Sequence, residues 1–523
     1  MPAMTEPKPK QAGDIRERRY AAPARFARLR AEVYALLERD PAAAFARVDA
    51  PENSAFGEPT LQGLRACLYV DGGTHHRNKA LVARGIEIFE QLVDEYPNEA
   101  NFKYCLANGL ATLADLQPYE DRGWYLKTAS GRQRAKNLYH HCTQADVDRD
   151  LKARAHTNLG NALLKAFRFV EAYDCYSRAL GFDPTNTVAA AGAARVLLSY
   201  AASGIGDRET LLAAANEHLR YARSNPERFR ELAGERAVTE FAPLLQYSFP
   251  EVQRPDLSKA TAYQRFVRDH RLALSPTIEG LDLSLKRWDS LRLPGILAAP
   301  GSHYQVPTVF ATFNVLKAEY LAVRHLAFVA MYKPPPESGS YADTLDYACY
   351  GVTPACLSLA QRTCVDVLDK LAVALLHYLG ETKSERNLSF LNAFFERDSE
   401  ARDWKPLVRQ EIDCHNRGVL AIAEMAADVA HQGYLRSKRQ LRNAGTHRFV
   451  ILHDISLATA SEVEIIERYD ADEFRDHLIE SLQLVRAALI YFVEAVADRE
   501  KRTTVEHVVT MDVPDHDRIR GRR

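Results

Sequence analysis

The sequence predicts an all-α protein in two parts: a solenoid of stacked helical hairpins, then a helical bundle. Three observations predict it. Apolar residues recur three and four positions apart along most of the chain, the spacing of one helix face. A hairpin pattern of roughly 34 residues recurs in the first half. Prolines at Pro250, Pro255, Pro276, Pro294, Pro300 and Pro307 then interrupt the periodicity before a second helical pattern begins. With 523 residues the chain exceeds the roughly 250 to 300 at which a single core stops growing, so at least two folding units are expected.

Composition narrows the class. A hydrophobic share of 46% beside 26% charged residues supports packed cores rather than disorder. The formal net charge of −1 gives the whole chain no long-range attraction for nucleic acid or anionic membrane, so such binding would need a local patch. The most apolar stretch, residues 482–497, is broken by Arg486 and Glu494 and falls short of the roughly 18 uninterrupted apolar residues of a spanning helix. Residues 1–25 carry proline and charge but no apolar central segment, so no secretory signal is read and a cytoplasmic location is expected. The eight cysteines are dispersed without a Cys-x-x-Cys pair, as reduced buried thiols would be. Cys142 follows His140 and His141, and His75 adjoins His76. Neighbours on a helix point about 100° apart, so neither group suits a metal, and no metal or cofactor is expected.

Residues 153–186 supply the clearest repeat. With Pro184 ending the second helix, Leu159, Gly160, Leu163, Ala172, Tyr176 and Ala179 occupy the packing positions of a helical hairpin. Gly160 and Ala172 let the helices approach, and Leu163, Tyr176 and Ala179 fill the seam. A weaker copy precedes it in Gly85, Phe89, Leu92 and Pro97, with Leu106, Ala107 and Leu110 opening the next unit; Gly192, Ala193, Ala194 and Leu197 form another first helix. Residues 117–131, with Pro118, Gly123 and Trp124, read as an irregular insertion, and helical patterns continue through 211–223 and 228–245. Tyr104, Tyr139 and Tyr176 read as core rather than as a ligand groove. Over roughly 65–201 the pattern resembles tetratricopeptide-repeat proteins, and that resemblance implies a protein or peptide partner on a concave surface. The division expected is an N-terminal helical segment 1–60, a repeat array 61–250, a connecting region 251–307, a bundle 308–515 and a basic tail 516–523.

The second half starts at Thr308 and passes a polar turn at 333–341. Long helices are expected over 354–380, 418–431, 436–457 and 471–499. Within 436–448 stand Arg436, Lys438, Arg439, Arg442 and Arg448 with no acidic residue, a local phosphate-seeking patch in a nearly neutral chain. Inside it, Arg442, Asn443 and His447 form Arg-Asn-x-x-x-His, followed by the apolar run 449–452. Here the chain resembles the HEPN superfamily, helical domains of prokaryotic toxins, defence nucleases and some eukaryotic RNases, whose signature is Arg, a polar residue and, after a short gap, His. The resemblance covers roughly 308–514 and includes FNVLKAEYLAVRHL and the helix that starts at Asp366.

That resemblance implies RNA cleavage without metal. The ribose 2′-OH loses a proton as it attacks the adjacent phosphate, and the 5′-oxygen gains one as it leaves. An imidazole with an ordinary pKa near roughly 6.5 suits either transfer, which assigns it to His447. Charge grows on the phosphoryl oxygens, which the guanidinium of Arg442 suits, while Asn443 orients phosphate or imidazole. Arg436, Lys438, Arg439 and Arg448 would hold the RNA backbone. Asp369 is the first candidate for an acid that positions His447, Asp428 the second, and His453 and Asp454 read as structural. Five helical residues turn about 500°, which sets Arg442 and His447 roughly 140° apart on one continuous helix. Either the helix begins between them or two chains build a composite cleft, and family behaviour implies a homodimer. The expectation is a metal-independent endoribonuclease, as in toxin or antiphage defence effectors, with the array as sensor or regulator-binding module. The alternatives are a solvated helix face at Arg442 and His447, a non-catalytic adaptor whose bundle only dimerises or binds RNA, and a bundle that a partner modifies or occludes.

Overall fold

A computed structural model describes residues 23–37, 39–118, 124–203, 207–251, 257–275, 289–297, 306–381, 388–396, 403–430, 433–437, 449–455, 465–503 and 513. Helices dominate among them. Residues cluster into two compact units that interleave in sequence: one holds 1–163, 174–193 and 221–242, the other 164–173, 194–220 and 243–523.

The first unit is a succession of antiparallel helices. Pro23–Leu37, Pro41–Val48 and Glu58–His75 enclose a small core of Leu29, Val33, Leu37, Ala44, Val48, Phe56 and Leu64. Lys79–Glu95, Ala100–Asp115, Trp124–Gln144 and Arg149–Lys165 follow. Starts are chemically marked: the Asn78 side chain accepts from the Ala80 and Leu81 amides, and Asp40 accepts from Ala43, each satisfying donors that have no partner inside the helix. Residues 124–131, expected as irregular, are instead the first turns of the helix that begins at Trp124. The Trp124 ring is buried and its indole donates to the Ala114 carbonyl, so an aromatic that punctuates the sequence serves as a packing anchor.

The repeat packs as its spacing requires. Leu163, Ala172, Tyr176 and Ala179 are all buried. A Cβ on Gly160 would sit 3.0 Å from the Tyr176 ring, and one on Gly192 would sit 2.6 Å from it. Two glycines on two different helices therefore make room for one tyrosine, whose hydroxyl donates to Asn161 Oδ1. Tyr104 and Tyr139 are buried as expected, edge to face with centroids 6.0 Å apart.

The second unit is built round helix Ala471–Glu500. From Val485 to Ala497 every residue of this helix is buried, which makes it the spine of the core rather than an amphipathic surface helix. Around it stand Thr308–Tyr332, Val352–Leu379 and Arg417–Val429. Arg417–Val429 approaches the spine so closely that a Cβ on Gly418 would lie 2.2 Å from the Ala495 nitrogen. No helix among the described residues is long and apolar enough to cross a membrane.

Residues 257–275 and 289–297 contribute to this core. A capping box between Thr261 and Gln264 starts helix Ala262–Asp269. Leu272, Ala273 and Leu274 are then fully buried, and the Leu272 carbonyl accepts from Tyr320 and Arg324, the Ala273 carbonyl from Arg486.

One expected helix is corrected. The segment 436–457 does not continue as helix through its second part. Phe449–His453 is strand β2, antiparallel to β1 (Ala348–Cys349) and parallel to β3 (Ile466–Asp470) in a three-stranded sheet ordered β1-β2-β3. The run Phe-Val-Ile-Leu is short and apolar, with β-branched Val450 and Ile451 at its centre, so periodicity alone does not separate strand from buried helix, and the two flanking strands decide it.

Candidate functional site

Arg442, Asn443, His447, Lys438, Arg439 and Arg448 lie outside the described residues, whereas Arg436 and Asp369 lie within them. The structure shows how the chain is held on both sides of that stretch. On its N-terminal side, helix Arg417–Val429 starts on an Asn416 cap and buries nearly its whole length. The chain then turns at Gly433, where a Cβ would fall 1.9 Å from the Asp428 carbonyl oxygen, so only glycine fits. Leu435 N–H donates to the Asp428 carbonyl at 3.0 Å and Arg436 N–H to Gly433 at 3.2 Å. On its C-terminal side, β2 is fixed in register by both neighbouring strands.

Two buried side chains reinforce the N-terminal anchor. Arg168 is fully buried and donates through Nε to Glu171 Oε2 at 2.8 Å, through Nη2 to the Tyr434 hydroxyl at 3.2 Å and through Nη1 to Asp428 Oδ2. Its guanidinium carbon lies 5.9 Å from the centre of the Tyr434 ring. Burial opposes the charge on Arg168, but Glu171, Tyr434 and Asp428 outweigh it and raise the pKa further. Tyr491, on the core spine, accepts from the Val170 amide at 3.1 Å and lies 3.3 Å from Glu171 Oε2. The turn that delivers Arg168 places Phe167 at φ 57°, a left-handed conformation unfavourable for a bulky residue and tolerated where the surroundings over-determine it.

On the C-terminal side, His453 is buried with Nε2 3.4 Å from Asp346 Oδ2, and Cys349 Sγ lies 3.0 Å from Asp454 Oδ1. Hydrogen bonds from Thr344 and then His453 hold Asp346 below the usual carboxylate range. Burial and then Asp454 push the Cys349 thiol up to about 11. These pairs tie residues 344–349 to the end of β2.

Asp369 accepts from the Phe390 amide at 2.7 Å, so one of its oxygens holds the start of the 388–396 segment. It also lines a cavity of about 30 Å³ with Gln361, Cys364, Phe390, Val429 and Ser481. Gln361 is buried, and among the described residues neither its Oε1 nor its Nε2 has a hydrogen-bond partner. A cavity of that size has room for a water or two beside the amide but not for a nucleobase. Among the described residues no group of three or more His, Cys, Asp or Glu side chains could hold a metal ion.

Sequence reasoning did not single out Arg168. The signal was an arginine between two phenylalanines, Phe167 and Phe169, in a turn where a solvated polar residue is ordinary. Its partners Asp428 and Tyr434 lie more than 250 positions away and share no local pattern with it.

Comparison with known families agrees with this architecture. The family model described as LA2681-like HEPN matches residues 301–499, and the tetratricopeptide-repeat model matches 153–186. Neither the curated proteins nor the solved structures contain a match.

Proposed function

The chain is a tetratricopeptide-repeat protein with a C-terminal HEPN domain, and from that premise we propose that it is a metal-independent endoribonuclease governed by its repeat array. One observation carries this reading: Arg442, Asn443 and His447 fall inside the matched residues 301–499, within a stretch of five basic residues and no acidic one. His447 is assigned proton transfer with the ribose 2′-OH or the leaving 5′-oxygen, Arg442 the charge that grows on the phosphoryl oxygens, and Asn443 their orientation. Arg436, Lys438, Arg439 and Arg448 hold the RNA backbone as point charges and forks. Asp369 is the candidate acid behind His447. The working unit is a homodimer, as the HEPN resemblance implies, with the cleft completed by a second copy. Repeat arrays bind proteins or peptides on a concave face, so the first half is assigned the sensing of a trigger or regulator. A cytoplasmic toxin or antiphage effector fits this combination.

The test is cleavage of single-stranded RNA by the full chain in EDTA. Wild type yields fragments with 2′,3′-cyclic phosphate and 5′-hydroxyl ends, and Arg442→Ala and His447→Ala each lower the rate on the order of 100-fold or more. Equal cutting by all three removes the proposal. Retention of RNA without cutting, unaffected by His447→Ala, establishes the non-catalytic adaptor instead.

A further inference from the structure

Arg168 sits between the two helices of the repeat, Arg149–Lys165 and Phe169–Phe182, yet residues 164–173 belong to the same compact unit as the C-terminal bundle. Its guanidinium bonds Asp428 near the end of helix Arg417–Val429 and Tyr434 just after the turn at Gly433. It thus grips both ends of the turn from which the chain enters 438–448. Glu171, one helical turn on, holds the fork from behind, and the Tyr491 hydroxyl caps the amide of Val170. A guanidinium offers several donors in a fixed plane, so it can set the relative position of three partners, which a lysine ammonium cannot do as well.

Stability alone is a weak reason for such a group. Buried ion pairs are often replaceable by well-packed apolar residues at no cost, whereas removing one partner leaves an uncompensated charge. What the arrangement supplies is position. We propose that Arg168 is a positioning residue for the Arg442–His447 segment, through which the turn of the repeat sets the register of the nuclease motif. This rests on the nuclease reading given above. A regulator that binds the repeat and favours a different placement of the 166–169 turn would then alter cleavage by as much as its affinity differs between the two placements.

The experiment compares full-length wild type, Tyr434→Phe, Arg168→Lys and Arg168→Met. Each is measured for kcat and KM on single-stranded RNA, for thermal midpoint, and for hydrogen exchange of peptides covering 433–448. Tyr434→Phe removes one hydroxyl and keeps the ring; it is expected to lower kcat about fivefold with KM unchanged. Arg168→Met is expected to lower kcat on the order of 100-fold, and Arg168→Lys to recover part of that loss. Faster exchange should be confined to 433–448. Unchanged kcat in Tyr434→Phe and Arg168→Lys overturns the proposal, and so does a loss matched by faster exchange throughout the protein. Should Arg168→Met not fold, the two conservative variants still decide it. If wild type cuts no RNA, the nuclease reading fails separately; positioning is then upheld by faster exchange at 433–448 alone and overturned by its absence.

Discussion

Arg417 Nε stands 3.8 Å from Glu494 Oε1, outside hydrogen-bond range, while the same guanidinium donates to both oxygens of Asp498 at 3.0 and 2.8 Å. Glu494 is therefore a fully buried carboxyl near a cation that is engaged elsewhere, and among the described residues neither of its oxygens has a hydrogen-bond partner. Burial pushes its pKa up to about 8, with Arg417 and Lys501 pulling down and Asp498 pushing up. It is protonated at neutral pH in the folded chain and ionised in the unfolded one.

The sign of the pH dependence follows. Because the folded pKa is the higher, the unfolded state binds fewer protons between the usual carboxylate pKa and about 8. The contribution of Glu494 to stability is fully present below that window, declines as pH rises through it, and is lost above the folded value. Glu494→Gln should flatten this slope and stabilise the protein at pH 9 by about 1 to 3 kcal/mol relative to wild type. Denaturant melts at pH 5, 7 and 9 check it; parallel slopes for the two proteins would refute the assignment.

The glycines of the first unit should differ sharply from one another. Gly192→Ala drives a methyl to 2.6 Å from the Tyr176 ring and is expected to cost about 1 to 3 kcal/mol. Gly131, inside helix Trp124–Gln144, has nothing among the described residues within 4 Å of an added Cβ, so Gly131→Ala should stabilise by roughly 0.5 to 1 kcal/mol. Thermal melts of the two variants measure both signs.

Arg324 ties Leu272 and Asp289 to the bundle. It holds both oxygens of Asp289 at 2.8 Å and the Leu272 carbonyl at 2.8 Å. Burial raises the Asp289 pKa, but the Arg324 bonds outweigh it and leave a net lowering. A lowered folded pKa means stability present above the usual carboxylate value and lost as pH falls through the folded one. Arg324→Ala should cost about 3 to 5 kcal/mol by leaving a largely buried carboxylate unpaired. Asp289→Asn should cost less and remove the acid sensitivity, which a urea titration at pH 4 and pH 7 resolves.

Thiol labelling should follow burial. Cys414 is exposed, whereas Cys142, Cys175 and Cys364 are buried, and burial pushes the Cys142 thiol up to about 12. Cys67 is raised by its hydrogen bond with Cys105, 4.0 Å away, and by burial. Iodoacetamide at pH 8 should modify Cys414 first and leave Cys142 and Cys67 intact until the protein unfolds. Mass spectrometry of the native and denatured digests reads the order.

Local regularities made much of this molecule legible in advance. The hairpin of 153–186 could be read because each hairpin repeats one packing problem: Gly160, Leu163, Ala172 and Tyr176 must recur at fixed spacing wherever two helices meet this way. The Arg442–His447 motif could be picked out because the proposed chemistry rests on residue types and a separation that stand together in the sequence. Residues 449–453 could not be assigned, since a strand is stabilised by partners, and Ala348–Cys349 and Ile466–Asp470 lie on either side of it for reasons that no period in 449–453 records.

By itself, then, the sequence determined the helical architecture, the repeat and the family resemblance, all properties of residues within a few helical turns of one another. Only the tertiary structure decided that Glu494 would keep its proton, that residues 272–274 would join the core, and that an arginine in a repeat turn would hold Asp428 and Tyr434. Burial and long-range pairing set those outcomes. Both depend on which distant segments exclude water together, and no local pattern encodes that.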